Sequence, residues 1–345
     1  MDASQPSLEL RGLIQKVSAG STLSEIEIRT ALELMTEGAA TPAQMGAFLM
    51  ALRVRGETVE EITGAAQMMR ARMNRVEVPA GAVDIVGTGG DGTGTFNVST
   101  CAALVAAGAG VKIAKHGNRS VSSLAGASDV LSALGVKLDV PFATITRCVE
   151  QAGLGFMWAP QHHPAMKHWA PIRGELGIRT IFNLLGPISN PGGVQRQVVG
   201  VFSWHWVEPI AHVLQNLGCE HVWVVHGHDG LDELTTTGAT DVAEVKDGKV
   251  TVFEVTPADA GLQPAKLSDL KGGDAKHNAA AIQDVLAGKK TPLRDIAILN
   301  AAAALIVAGK AANLIDGAAL AAHSIESGAA KIALEKLIAI SNGRT

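Results

Sequence analysis

Aromatic side chains are scarce, at 3% of the 345 residues, although hydrophobic residues reach 47% and 38 positions are glycine. An apolar fraction built from small side chains suits helices packed closely on a sheet, with backbone free to approach a ligand, and so points to an α/β fold. Positive charge is not in excess: 29 Lys and Arg against 33 Asp and Glu leave a net charge of −4. That argues against the broad basic face needed to coat nucleic acid or an anionic membrane, so any phosphate recognition has to be local. No apolar run approaches the roughly 20 residues of a membrane-spanning helix, and the opening residues lack the apolar stretch of a signal peptide. A cytoplasmic location is the expectation. Cys101, Cys148 and Cys219 are widely separated, odd in number and without metal-ligand spacing, and each is expected as a small buried residue in a reducing compartment.

What is present falls into two parts. Residues 1–75 read as a small α-helical domain, with three Thr residues each followed three positions later by Glu or Gln. The pairs Thr22 and Glu25, Thr41 and Gln44, and Thr58 and Glu61 fit capping boxes, and Pro42 and Gly56 mark the start and stop of one helix. Residues 76–345 read as a larger domain, joined to the first by a helical segment at about 165–190. Short apolar runs alternate there with helical stretches: Val83 to Val86, Val111 to Ala114, Gly155 to Trp158, Val198 to Val201 and Val222 to Val225. Such alternation implies a mainly parallel sheet. The runs Val242 to Val245 and Val250 to Val255 flank Asp247-Gly248, a hairpin dipeptide, so the sheet is expected to be mixed. The last hundred or so residues return to Ala-rich helices, with no internal repeat.

Four clusters carry the chemistry. Gly87 to Thr100 leaves a strand and enters a helix with five glycines among polar residues. Its amides could converge on phosphate oxygens, with Ser99 and Thr100 near a helix N-terminus; the plainer reading is a strand-to-helix turn. Gly87, Gly89 and Gly92 match the dinucleotide fingerprint, but the acid expected about 20 residues on is replaced by Lys112, Lys115 and His116. No Gly-Lys-Ser/Thr closes a Walker loop. The second cluster runs from Lys115 to Ser123, read as following a strand, with cations and hydroxyls suited to phosphate or pyrophosphate, or else forming a solvated loop. The third, Asp229 to Glu233, offers hard oxygen ligands of the kind Mg²⁺ shares with substrate phosphates, or is a solvated acidic turn. In the fourth, His162 and His163 lack the spacing of a zinc site, while Arg173 could pair its planar fork with a carboxylate or lie on a helix surface.

These clusters, in this order and nearly end to end, resemble the anthranilate phosphoribosyltransferase family. The most specific signatures are Gly87 to Thr100 and Lys115 to Ser123, supported by Thr41-Pro42-Ala43-Gln44 and Gly56 to Glu61 in the helical part. The resemblance implies the fold shared by nucleoside phosphorylases and phosphoribosyltransferases, a homodimer, and transfer of the 5-phosphoribosyl group of phosphoribosyl pyrophosphate (PRPP) to anthranilate in tryptophan biosynthesis, with Mg²⁺. Carried over, Gly87, Gly90, Asp91, Thr95, Asn97, Val98, Ser99 and Thr100 would line the PRPP site. Lys115, His116, Gly117, Asn118, Arg119, Ser120, Val121, Ser122 and Ser123 would close over it. Gly87, Asn118 and Arg173 would contact anthranilate, and Ser99, Asp232 and Glu233 would hold the metal. The family's usual Gly-Ser-Ala-Asp stands here as Gly126-Ala127-Ser128-Asp129, which puts one serine contact with PRPP in doubt. No dedicated general base is assigned, and His116 is the candidate if one exists. Rival readings are a pyrimidine nucleoside phosphorylase and a non-catalytic, nucleic-acid-binding homologue.

Overall fold

The computed structural model describes residues 4–119 and 124–344. Four helices come first: α1 (Ser4–Ser18), α2 (Glu25–Thr36), α3 (Pro42–Arg55) and α4 (Val59–Ala71). Reciprocal capping boxes start α3 at Thr41 and Gln44 and α4 at Thr58 and Glu61. At α2 the box is Ser24 with Glu27, not Thr22 with Glu25. The helix begins two residues later because Leu23 has to be buried and its N–H already bonds the Glu61 carboxylate at 2.8 Å.

The remaining elements alternate. They are β1 (Val83–Gly87), α5 (Val98–Gly108), β2 (Ile113–Gly117), α6 (Ala127–Ala133), α7 (Phe142–Arg147), β3 (Leu154–Trp158), α8 (Ala159–His162), α9 (Met166–Leu176) and α10 (Phe182–Ile188). After these come β4 (Arg196–Gly200), α11 (Val207–Asn216), β5 (His221–Gly227), β6 (Thr240–Lys246), β7 (Lys249–Val255), α12 (Ala275–Leu286), α13 (Pro292–Val307), α14 (Leu314–Glu326) and α15 (Ala329–Ser341). One seven-stranded sheet has the order β3-β2-β1-β4-β5-β6-β7. β1 to β5 are parallel, and β6 and β7 complete the sheet antiparallel. The β6–β7 turn uses positive φ at Asp247 (51°) and Gly248 (70°), the conformation that a tight hairpin demands.

Helices cover both faces. On one, the Ala-rich α5 and α13 pack with α14 and α15 over Val83, Ile85, Val198 and Val225. On the other, Val86, Val199, Val222 and Val224 share a continuous core with α1–α4, α9, α10 and α11. Trp169 of α9 lies fully buried within it and donates from its indole to Thr36 Oγ1 at 3.0 Å, and Arg70 reaches the Ile188 carbonyl at 2.9 Å. The order of the parallel strands reverses between β1 and β4, and ligands of such sheets sit beyond the carboxyl ends of the strands near that point.

Candidate active site

Beyond those ends the glycine loop from β1 meets the acidic loop after β5. Gly89, Gly90, Gly92 and Gly94 hold φ between 64 and 77°, values that would strain any other residue. Asp91 ties the loop to itself by accepting from Thr93 N–H at 3.1 Å and Thr93 Oγ1 at 2.8 Å. Thr95 forms an isolated antiparallel bridge with Lys271. Asn97 stands at the α5 N-cap without capping it; its amide instead donates to Ala125 O at 3.2 Å and accepts from Asn278 at 2.9 Å. The free end of α5 is turned to the acidic loop, where Ser99 N–H donates to Glu233 Oε1 at 3.1 Å. Thr100 is buried, with no partner on its hydroxyl. The Val98 side chain is 2% exposed in the core, and its N–H donates to Phe96 O at 2.8 Å.

Lys115 and His116 also stand differently from the sequence reading, since they lie within β2 and not in a loop after it. Strand periodicity sends them to opposite faces. Lys115, 1% exposed, donates from Nζ to the Ile85 carbonyl and to Ser99 Oγ at 3.2 Å. Burial lowers its pKa, while Asp84, Glu233 and Asp232 act to raise it. Gly117 is backed by Phe156, whose ring atom would lie 2.9 Å from an added Cβ. Asn118 and Arg119 are exposed; Asn118 Oδ1 accepts from Arg119 N–H at 2.8 Å, and the Arg119 guanidinium lies 5.7 Å from the Trp158 ring centre. Ser120, Val121, Ser122 and Ser123 lie outside the described residues. In the altered tetrapeptide, Ser128 is fully buried with an unpartnered hydroxyl, and Ala127 is half-buried.

Asp232 Oδ2 accepts from Gly89 N–H at 2.5 Å and Thr88 Oγ1 at 3.5 Å. Burial drives the pKa of both Asp232 and Glu233 well up, and repulsion adds to it, from Asp91 on Asp232 and chiefly from Asp232 on Glu233. One buried lysine does not balance this set. Hard oxygens with surplus negative charge fit a divalent cation, and Mg²⁺ characteristically draws only one or two ligands from protein and the rest from phosphates and water. Among the described residues, the group of three donors whose ligand atoms already converge is exposed His228 and Glu254 with half-buried Asp241, accounted for as ion pairs.

Room for Asp232 comes from two glycines facing each other across the β1–β4 ladder, Gly87 and Gly200. A Cβ on Gly87 would meet Asp232 Oδ2 at 2.4 Å, and one on Gly200 would meet the Asp232 carbonyl oxygen at 1.5 Å. Sequence reasoning misses Gly200, because a lone glycine ending a strand carries no motif. Arg179 also belongs here: it donates to the Gly90 carbonyl and lies 4.2 Å from the Phe202 ring centre.

His116 Nδ1 lies 3.1 Å from the Gly186 carbonyl, which assigns it the proton, and its Nε2 lies 3.2 Å from His163 Nε2. Both ring nitrogens are thereby engaged. Arg173 is partly buried on α9 with its guanidinium 5.6 Å from the Phe182 ring centre, and burial lowers its pKa. Among the described residues no direct contact joins Arg173 to Asn118 or Gly87, so the three proposed anthranilate contacts are not linked to one another without substrate.

Burial pushes His163 down to about 4 from 6.5, and His116 well below its ordinary value. Between pH 6.5 and 4 the unfolded chain therefore binds protons that the folded chain refuses, and stability falls as pH falls. The slope is at most about 1.4 kcal/mol per pH unit for each histidine. Thermal melts of His163→Asn between pH 4.5 and 7 should show a shallower acid limb than the parent; parallel limbs would mean that this pair does not set it.

Comparison with known proteins covers both parts of the chain. The helical bundle domain of a glycosyl transferase family matches residues 11–73, and its α/β domain matches residues 80–331. Anthranilate phosphoribosyltransferase of Rhodopseudomonas palustris BisB18 is 61% identical over 97% of this chain and 98% of its own length. The chain belongs to the anthranilate phosphoribosyltransferase family. The enzyme of that name from Rhizobium meliloti is 60% identical over 97% of this chain and 99% of its own. Among solved structures, the anthranilate phosphoribosyltransferase of Thermus thermophilus superposes with a TM-score of 0.90 at 44% identity, covering 96% of this chain and 99% of that one. The Saccharomyces cerevisiae enzyme, solved in complex with PRPP and Mg, gives 0.88 at 32% identity over 97% and 98%. The family's two-part architecture, a helical bundle and an α/β domain with a mixed sheet, is the one seen here.

Proposed function

We propose that this protein transfers the 5-phosphoribosyl group of PRPP to the amino group of anthranilate, giving N-(5-phosphoribosyl)anthranilate and pyrophosphate, as a step of tryptophan biosynthesis. The observation that carries this reading is the meeting of buried Lys115 and Asp232 with half-buried Ser99 and Glu233 beside a glycine loop at the carboxyl ends of parallel strands. Ser99, Asp232 and Glu233 would hold Mg²⁺, which when bound neutralises the pyrophosphate. Amides of the glycine loop other than those of Thr88, Gly89 and Thr93, which are already bonded, would with Asn97 cradle phosphate oxygens, and Lys115 would place its charge where negative charge grows as the C1–oxygen bond breaks. Asn118 and Arg173 would orient anthranilate so that its nitrogen forms the new bond to C1. The proton shed by that nitrogen passes to solvent, since neither His116 nitrogen is free to take it.

Two outcomes follow. His116→Gln should lower kcat by less than about tenfold, below the roughly 10²–10⁴-fold typical of a lost general base; a near-total loss with folding intact would reinstate His116 as that base. Arg173→Ala should raise KM for anthranilate by at least about tenfold while moving KM for PRPP far less, as expected for one lost charge-assisted pair. Equal damage to both would remove Arg173 from the anthranilate pocket.

The direct test mixes protein, PRPP and Mg²⁺ with anthranilate and follows the loss of its fluorescence, with and without chelator, beside pyrimidine nucleosides with phosphate. Metal-dependent loss supports the reading, whereas nucleoside cleavage alone would transfer the protein to the phosphorylase class. A homodimer and a cytoplasmic location complete the proposal. Ile26 and Val54 of the helical layer are 69% and 80% exposed, apolar surface that a second copy would cover, and the three cysteines are free and buried, as suits a reducing compartment. Light scattering of the parent and Val54→Asp would test the dimer.

A further inference from the structure

β1 and β2 are neighbours in the sheet, yet their register amounts to one pair, Val83 with Ile113, at their amino ends. Each is laddered on its other side, β1 to β4 and β2 to β3, through five pairs. Past that pair the seam between them carries no further register. Backbone groups along an open, buried seam need other partners, and side chains supply them. The Asp84 carboxylate accepts from His116 N–H at 3.2 Å. Asn190 Nδ2 donates both to Asp84 Oδ2 at 2.7 Å and to the Ala114 carbonyl at 2.8 Å, and its Oδ1 accepts from Gly192 N–H at 2.7 Å. Asp84 is 0% and Asn190 2% exposed.

We infer that Asp84 and Asn190 are positioning residues, a side-chain clasp that replaces the missing ladder and sets the end of β2 against the end of β1. The end of β2 carries His116 and leads to Asn118; the end of β1 leads to the glycine loop. Asn190 follows α10, whose Gly186 carbonyl holds the His116 ring, so backbone and ring of His116 are fixed by one short segment. A carboxylate and a carboxamide suit the seam because the His116 N–H and the Ala114 carbonyl both need side-chain partners there, and the pair satisfies both while bonding to each other; the Ile85 carbonyl is met separately by Lys115 Nζ. The inference rests on the proposed assignment of Asn118 to anthranilate and of the glycine loop to PRPP. Because β1 stays laddered to β4 whatever the clasp does, the anthranilate side should feel its loss first.

Asp84→Asn sets two amide donors against each other, Asn190→Asp sets two carboxylates against each other, and the double exchange restores one donor facing one acceptor. Kinetics would be read well below each variant's melting temperature. Each single variant should lose about tenfold or more in kcat/KM for anthranilate, as a slight misplacement of reacting groups does; the PRPP control is Asn190→Ala, which leaves the Asp84 charge facing Lys115 and should keep KM for PRPP within about threefold. The double variant should recover part of that loss. If Asp84→Asn does not fold, Asn190→Ala carries the same test by removing both donors. A lowered melting temperature with kcat/KM for anthranilate within twofold of the parent would overturn the inference, as would equal loss toward both substrates with no recovery in the double variant. Failure of the parent to consume anthranilate would instead refute the proposed function.

Discussion

Gly200→Ala is expected to abolish most of the activity while leaving the sheet intact. The added methyl carbon would fall 1.5 Å from the Asp232 carbonyl oxygen and 2.4 Å from its carbon, so one side must move. β4 cannot easily do so, being paired through five residues with β1 on one edge and five with β5 on the other. The acidic loop yields instead, carrying Asp232 from Gly89 and Glu233 from Ser99 by more than about 1 Å. Displacement of that size costs about 10²-fold in rate, and overpacking a tight site costs about 1–3 kcal/mol in stability. Steady-state kinetics with a Mg²⁺ titration and a thermal melt would separate the two. Activity within twofold of the parent would place the acidic loop outside the reaction.

Lys115→Met should be comparably damaging for another reason. The replacement keeps length and removes charge, so leaving-group stabilisation is lost and kcat should fall by about 10²–10³-fold. Folding should survive, because Asp84 and Glu233, whose pKa values Lys115 now lowers, can take up protons once it is gone. Lys115→Arg should not restore the rate: Lys115 is 1% exposed with its Nζ held by the Ile85 carbonyl and Ser99 Oγ, and a larger planar fork does not reproduce that point charge. A Lys115→Met enzyme with unchanged kcat would remove this residue from the chemistry.

The parts of the site that the sequence announces are those where one short segment must do something unusual. A run of glycines between Gly87 and Gly94 has few uses besides bringing backbone to a ligand, and Thr41-Pro42 or Asp247-Gly248 fixes local geometry within a few residues. Other features arise only when distant segments meet. Gly200 matters through Asp232, 32 positions on, and Asn190 through Asp84, 106 positions back. The limits of β2 escape the sequence because Lys115 and His116 look like loop residues, yet each has an internal partner that lets a polar side chain occupy a buried strand. Ser24 takes the place of Thr22 as a cap through a tertiary bond from Leu23 to Glu61 that no local pattern encodes.

The core of the helical layer is continuous with that of the sheet. Leu32, Phe48, Leu49 and Ile62 belong to the same buried cluster as Val86, Val199 and Val224 of the sheet. In sequence the two family regions part cleanly between residues 73 and 80, but a cut there would leave both pieces with bare apolar faces. A recombined gene that takes its first 75 or so codons from one relative and the rest from another must therefore inherit matching side chains on both sides of the junction, or the hybrid will precipitate before it can be assayed.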